Sequence, residues 1–300
     1  MNSPAKTTVA SKSIGASNKF TPRAFITRVC ELPLWSVLVL VCLVLVGLFG
    51  PVISPHDPNA IQLLKAHASP IFFGGSWEYP LGTDQMGRDV LSRLISGARI
   101  SLLVGFAVVL GAGSIGTVLA LAAGYFGGAI DAVVSRVCEV FIAVPFVLVA
   151  IAIVGAVGAS ITNLVFTLIF MSWAGYARVL RSEVLRLREL EFVKLAKVAG
   201  CSDSRILIHH LLPNIVNPLM ILATLQLGAT IVIEASLSFL GLGVPPPQAT
   251  WGAMLSEGKD FIGFHTSLVL FPGLAIFVVV LAINLLGDWL RLRLDPRFRQ

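Results

Sequence analysis

Charge is scarce in this sequence. Asp, Glu, Lys and Arg make up 13% of the 300 residues, against about 25% in a typical soluble domain. A soluble globule of this size needs more charge than that to cover its surface. Intrinsic disorder is excluded too, because the chain is apolar and weakly charged per residue. Cysteine is sparse: Cys30, Cys42, Cys138 and Cys201 lie far apart, and no CxxC pair occurs. Neither a disulfide framework nor a zinc cluster is indicated. The phosphate-cradling loop GxxxxGK is missing, since Gly258-Lys259 has Ala253 where the first glycine belongs. HExxH and GxSxG are missing as well. His209 and His210 are neighbours, so on a helix they point about 100° apart and do not chelate together. No catalytic residue, metal site or cofactor is therefore assigned.

What is present is apolar length. Hydrophobic residues reach 56%, and the mean hydropathy is +0.88. A spanning helix needs about 20 mostly apolar residues. Six stretches qualify: Leu34–Val52, Ile100–Ala123, Ala132–Val157, Ile161–Ala177, Ile215–Leu240 and Thr266–Leu290. The third and fourth come from one uncharged run, divided by a turn at Gly158-Ala159-Ser160. Lipid offers no partner for backbone N–H and C=O groups, so these runs are helices. Short alternating segments of a transmembrane barrel do not occur. The expected fold is an all-α polytopic membrane protein with six transmembrane helices.

Lys and Arg placement orients it. Five precede the first span, Arg136 enters the third, seven lie from Arg178 to Arg205, and four follow the sixth. That makes 17 on one side, against Lys65, Arg88, Arg93, Arg99 and Lys259 on the other. The larger number belongs inside, so both termini are expected in the cytoplasm. The tail 1–33 is Ser/Thr/Lys-rich, as a disordered cytoplasmic tail or a transit peptide would be. The permease-like remainder is 34–300. The net charge of +6 then concerns topology, and no nucleic-acid partner is expected.

Two outer stretches and one inner stretch remain. In the outer loop 53–99, Asp84 is expected to cap an amphipathic helix bearing Val90, Leu91, Leu94, Ile95 and Ala98 on one face. Asp84/Arg88 and Asp89/Arg93 are its expected i,i+4 pairs. The helix either lies on the outer membrane interface and feeds the second span, or packs under the loop. The stretch from Gly241 to His265 ends the fifth helix at its glycines and prolines. Its apolar Trp251, Met254 and Leu255 suit a lid over a pore or a re-entrant turn. The inner loop 180–213 reads as two short helices broken near Gly200, the second running Arg205–Leu212 before Pro213 begins the fifth span. Leu190, Val193, Leu195 and Val198 are apolar there with no lipid to bury them. They need a protein surface, from this chain or another.

Among residues inside spans, Glu139 is paired locally with Arg136. Glu234 has no local partner, and either lines the pathway or is a hydrogen-bonded carboxyl between helices. Pro145 should kink the third helix. Gly111, Gly113, Gly116 and Gly124 lay small residues along the second, which allows close packing.

The inner loop carries a resemblance. Lys194-Leu195-Ala196-x3-Gly200, nine residues, then His210-Leu211-Leu212-Pro213 resembles the EAA signature of ABC-importer permeases, E-A-A-x3-G-x9-I-x-L-P. Lys194, Leu195 and His210 depart from it. Three further stretches resemble the C-type permease of dipeptide/oligopeptide importers, a group that also serves glutathione and nickel. They are Pro80 to Arg93, Glu234 to Gly243 with Trp251-Gly252-Ala253-Met254-Leu255, and Asn284 to Arg291 with Leu294-Asp295-Pro296. The resemblance implies a type I permease fold in a bacterial inner membrane. It also implies a second homologous permease subunit, two cytoplasmic ATPase subunits that bind the ATP, and a periplasmic solute-binding protein. Lys194, Ala196, Lys197, Ala199, Gly200, Ser202 and Pro213 would belong to the ATPase-coupling element. Two other readings compete. A stand-alone secondary transporter or channel would want internal repeats and buried ion-coupling carboxylates. A membrane enzyme would want paired catalytic groups at one depth.

Overall fold

The computed structural model describes residues 33–294. The basic N-tail, Arg297, Arg299 and the Asp295-Pro296 part of the C-terminal resemblance lie outside the described residues. Every long element among the described residues is a helix.

Helix α1 (Leu34–Ile53) is the first apolar run, with Ser54 extended at its C-cap. Helix α2 (Val90–Phe126) has 37 residues, a length of about 55 Å at 1.5 Å per residue. That exceeds the roughly 30 Å hydrocarbon core. Asp89 caps its start by accepting from the N–H groups of Leu91 and Ser92, and Gly127, φ +69°, stops it. The expected cap at Asp84 is thus corrected to Asp89, and the amphipathic stretch feeds the second span as expected, packed inside the protein as in the second of the two placements. Asp84 is engaged elsewhere, and the apolar face of Val90, Ile95 and Ala98 is buried in the outer core. That face continues directly into the span.

The expected third span is broken in two. Helices α3 (Gly128–Ala143) and α4 (Phe146–Val157) meet at 88°. Pro145 has no N–H to offer and pushes Val144 into the extended region, ψ 132°. The result is a corner, larger than the expected kink. At 12 residues, α4 alone reaches only about 18 Å. Among the described residues five single helices are long and apolar enough to cross a bilayer, and the bent pair counted as one makes six.

Helix α5 (Ile161–Arg188) starts at Ser160, whose hydroxyl accepts from Asn163 N at 3.0 Å. It runs a further three turns past Ala177. It lies tightly along α2, where a Cβ on Gly116 would sit 2.8 Å from the Trp173 carbonyl and one on Gly124 would sit 2.7 Å from Val184 Cβ. The small-residue series therefore does pack a helix. Helix α6 (Glu191–Val198) follows.

Helix α7 (Asp203–Phe239) is continuous, which corrects the expected stop at Leu212. Its Ile206–Leu211 turn is widened to π geometry. A proline ring would clash with the carbonyl four residues back, and the wider turn just before Pro213 relieves that. Asn214 Nδ2 donates to the His210 carbonyl at 2.6 Å. Helix α8 (Trp251–Gly258) is capped by Thr250, whose hydroxyl accepts from Ala253 N. It does not stand free as a lid. It is wedged among α2, α7 and α9 (Ser267–Leu294), with Trp251 Nε1 donating to the Leu94 carbonyl at 3.0 Å.

Candidate functional site

The inner loop is built around α6. Its C-terminus is closed by two backbone bonds, Gly200 N to Lys197 O and Cys201 N to Ala196 O, both 3.0 Å. This is the Schellman arrangement, which needs a left-handed residue after the helix. Gly200 supplies it at φ +77°. A Cβ there would meet nothing within 4 Å, so the space beside it is open.

Helix α6 is apolar on two faces. Val193 and Ala196 are buried against Tyr125, Val184, Leu187 and Ile206. Phe192, Leu195 and Val198 point outward, and Leu195 and Val198 are 66% and 86% exposed. The first face is satisfied by this chain. The second is left exposed by this chain, apart from Phe192, whose ring lies 6.4 Å from that of His210.

The expected coupling residues therefore separate. Lys194, Ala199, Gly200 and Ser202 are exposed, Lys197 is exposed but turns its ammonium to the rear of the loop, and Ala196 is buried inward. Pro213 lies beyond them, exposed in the first turns of α7. Lys194 Nζ contacts Glu189 Oε2 at 3.2 Å. That ammonium holds the Glu189 carboxyl below the usual carboxylate range, with Arg188 adding to the effect.

The loop is braced from behind by residues that no sequence motif marks. Tyr125, near the end of α2, donates its hydroxyl to Asp203 Oδ1 at 2.5 Å. Lys197 Nζ lies 4.6 Å from the centroid of the Tyr125 ring. Arg188 Nη1 donates to the carbonyls of Gly124 and Tyr125 at 3.2 and 3.3 Å. Those carbonyls are at the negative end of the α2 dipole, where a cation is favoured. Arg181 of α5 grips Asp131 of α3 through two nitrogens, Nη2 to Oδ2 at 2.6 Å. Tyr125 and Asp203 are 78 positions apart, and no periodicity connects them.

The outer face holds a second polar cluster of another kind. Asp84/Arg88 forms as expected, Nε to Oδ2 at 2.6 Å. Asp89/Arg93 does not form. Asp89 is already occupied by the α2 cap, by Ser92 Oγ at 2.5 Å and by His56 Nδ1 at 3.2 Å. Arg93, 1% exposed, turns to Glu257 of α8, Nη2 to Oε2 at 2.9 Å. Arg88 Nη2 reaches the same oxygen at 2.7 Å. One carboxylate, distant in sequence, thus gathers two guanidiniums. The rings of His67 and His265 stack nearby at 4.5 Å.

Glu234 is 1% exposed between α2 and α7. It accepts from Ser238 Oγ at 2.7 Å and Ser101 Oγ at 3.3 Å. Glu139 pairs with Arg136 at 3.0 Å, and both are exposed. Among the described residues, no three His, Cys, Asp or Glu side chains are placed to hold a metal ion. The inner arrangement is a helix braced from behind and exposed in front.

Comparison with known proteins agrees with this geometry. The family described as binding-protein-dependent transport system inner membrane component matches residues 116–300. The chain is 39% identical over 269 residues to the dipeptide transport system permease protein DppC of Alkalihalophilus pseudofirmus, covering 90% of this chain and 87% of that one. It is 42% identical over 226 residues to the glutathione transport system permease protein GsiD of Pectobacterium atrosepticum, covering 75% of each. Against the protein of that name from Escherichia coli the identity is 40% over 264 residues, with 87% and 85% covered.

Proposed function

Because the chain belongs to the binding-protein-dependent transport inner-membrane family, we propose that its inner loop is where ATP hydrolysis reaches the membrane. The protein is a multi-pass inner-membrane permease subunit of an ABC importer of the peptide class. It works with ATPase subunits and a binding protein. The finer assignment is a heterodimer with one homologous permease, above two ATPase subunits that bind the ATP. Both termini are then cytoplasmic, in keeping with the 17-to-5 division of basic residues and the positive-inside rule.

The single observation that carries the coupling reading is the outward face of α6. Phe192, Leu195 and Val198 are apolar, exposed and outside any span. An exposed apolar face on an aqueous loop marks a protein contact. Lys194, Ala199, Gly200 and Ser202 surround it as the polar and small rim of one socket, and Lys197 turns its ammonium to the rear. Ala196 supports the same helix from its buried side, and Pro213 sets the start of the span that leaves it.

The substrate is a di- or oligopeptide or a peptide-like thiol such as glutathione, after the names of the relatives. The inferred movement is alternating access: the ATPase dimer closes on ATP, carries α6 with it and tilts the two permeases apart on the outer side.

Co-purification of the importer tests this reading. Wild-type chain should bring down its ATPase subunits. Gly200→Trp should lose them while still inserting in the membrane, since a side chain at 200 enters space that this chain leaves empty. A wild-type chain that recruits no ATPase would sink the coupling reading and favour a transporter working alone.

A further inference from the structure

A socket alone transmits nothing; something must tie α6 to the spans. The tie visible in this chain converges on one side chain. Tyr125 is 4% exposed, near the inner end of α2. Its hydroxyl donates to Asp203, the first residue of α7. Its ring receives Lys197 of α6 at 4.6 Å and packs among Val193, Ala196, Val184 and Leu187. Its carbonyl, with that of Gly124, is held by Arg188 of α5. Four helices thus meet at Tyr125.

The chemistry of the four contacts differs in stiffness. Schellman closure at Gly200 fixes α6 relative to Cys201, so α6 and the start of α7 turn as one piece. The Arg188 contacts fix α2 to α5, which the glycine packing already holds close. Helix α6 is joined to the end of α5 through Leu190 and the Lys194–Glu189 pair, whereas the directional polar link from this loop to α2 is Tyr125 Oη to Asp203. A hydrogen bond to a charged acceptor is about twice as strong as a neutral one and has a preferred angle. Apolar packing around it resists separation but is non-directional.

We propose that Tyr125 is the positioning residue that passes the motion of the coupling loop to α2, through its bond to Asp203. This rests on the coupling reading of α6. Without that bond, α6 and the α7 start can swivel against α2 while remaining docked. The ATPase then still binds, but the inner end of α2 no longer follows the nucleotide state.

Hydrogen–deuterium exchange on the whole importer in lipid nanodiscs tests it, comparing the nucleotide-free state with ATP plus vanadate. In wild type, exchange should change about threefold or more both at 191–198 and at 120–126. In Tyr125→Phe the change at 191–198 should persist and that at 120–126 should vanish. Asp203→Ala should behave like Tyr125→Phe, and Asp203→Asn, whose amide oxygen still accepts, should restore the response. This rescue separates signal transmission from simple folding. A change at 120–126 that survives both Tyr125→Phe and Asp203→Ala overturns the proposal, as does a wild type that responds only at 191–198. A wild type silent at 191–198 defeats the coupling reading itself, which is a distinct result.

Discussion

The outer and inner faces of this chain use the same residue types in opposite ways. Outside, Arg88 and Arg93 are buried, and both close on Glu257 and Asp84 of the same chain. Inside, Lys194, Lys197 and the apolar Leu195 and Val198 remain exposed, and only the rear of the loop is braced. The outer ion pairs close within one subunit, with Arg93 Nη1 left buried without a hydrogen-bond partner among the described residues, whereas the inner loop keeps an exposed apolar face. Buried ion pairs need good geometry to offset desolvation. They suit a place that must hold one shape. An open apolar face suits a place that must accept another protein.

That contrast can be broken first at its strongest point. Glu257→Gln leaves two buried guanidiniums without a carboxylate from α8. Removing one partner of a fully buried pair costs about 3–5 kcal/mol. Glu257 is 26% exposed and Asp84 stays beside both cations, so the loss is below that, and the detergent-solubilised chain should still melt lower, whether or not ATPase subunits are present. No change in the melting temperature would mean that Asp84 alone neutralises both cations.

Leu195→Asp and Val198→Asp should do the reverse. Neither side chain touches the core, so the stability of the isolated chain should stay within about 0.5 kcal/mol. Affinity for the ATPase should fall at least about tenfold, or 1.4 kcal/mol, as read by titration of labelled permease. An equal loss of both quantities would mean that the outward face is covered within this chain.

Gly200→Ala probes the closure that holds the two halves of the inner loop together. A left-handed residue with a side chain costs about 1–2 kcal/mol, and the Schellman bonds should weaken by that amount. Amide exchange at Cys201 is the readout.

The smallest effect concerns pH. Burial pushes the His67 imidazole below its ordinary value of 6.5, and neighbouring His265 pushes the same way, while Asp84 opposes. The unfolded chain therefore binds the proton first as pH falls. Stability is full above about 6.5 and declines below it. The outer loop should become more open to proteolysis as pH falls below about 6.5, and His67→Gln should flatten that profile.

How much of this could be read in advance varies by element. The spans were legible because apolar runs of about 20 residues have one use. Leu34–Ile53 and Ser267–Leu294 fall within a few residues of their expected bounds. The break at Pro145 was legible in position but not in size, since proline forbids a helical bond without fixing the angle of exit. The start of α2 was misplaced by five residues because Asp84 and Asp89 are equally good caps in isolation. Only the engagement of Asp84 with two arginines decides between them. In the inner loop the signature named Gly200 and Ala196 alike. Their roles differ, and the winding of α6 alone sends one outward and the other in.

The sequence by itself determined that the chain lives in a membrane and where its apolar runs lie. Those properties follow from composition and short-range order, which a linear chain records directly. Tertiary structure alone decided that Glu257 gathers Arg88 and Arg93, and that Tyr125 joins α2 to Asp203. Such contacts depend on helices of tens of residues returning to one place. Side chains 78 to 169 positions apart leave no periodic trace of that return.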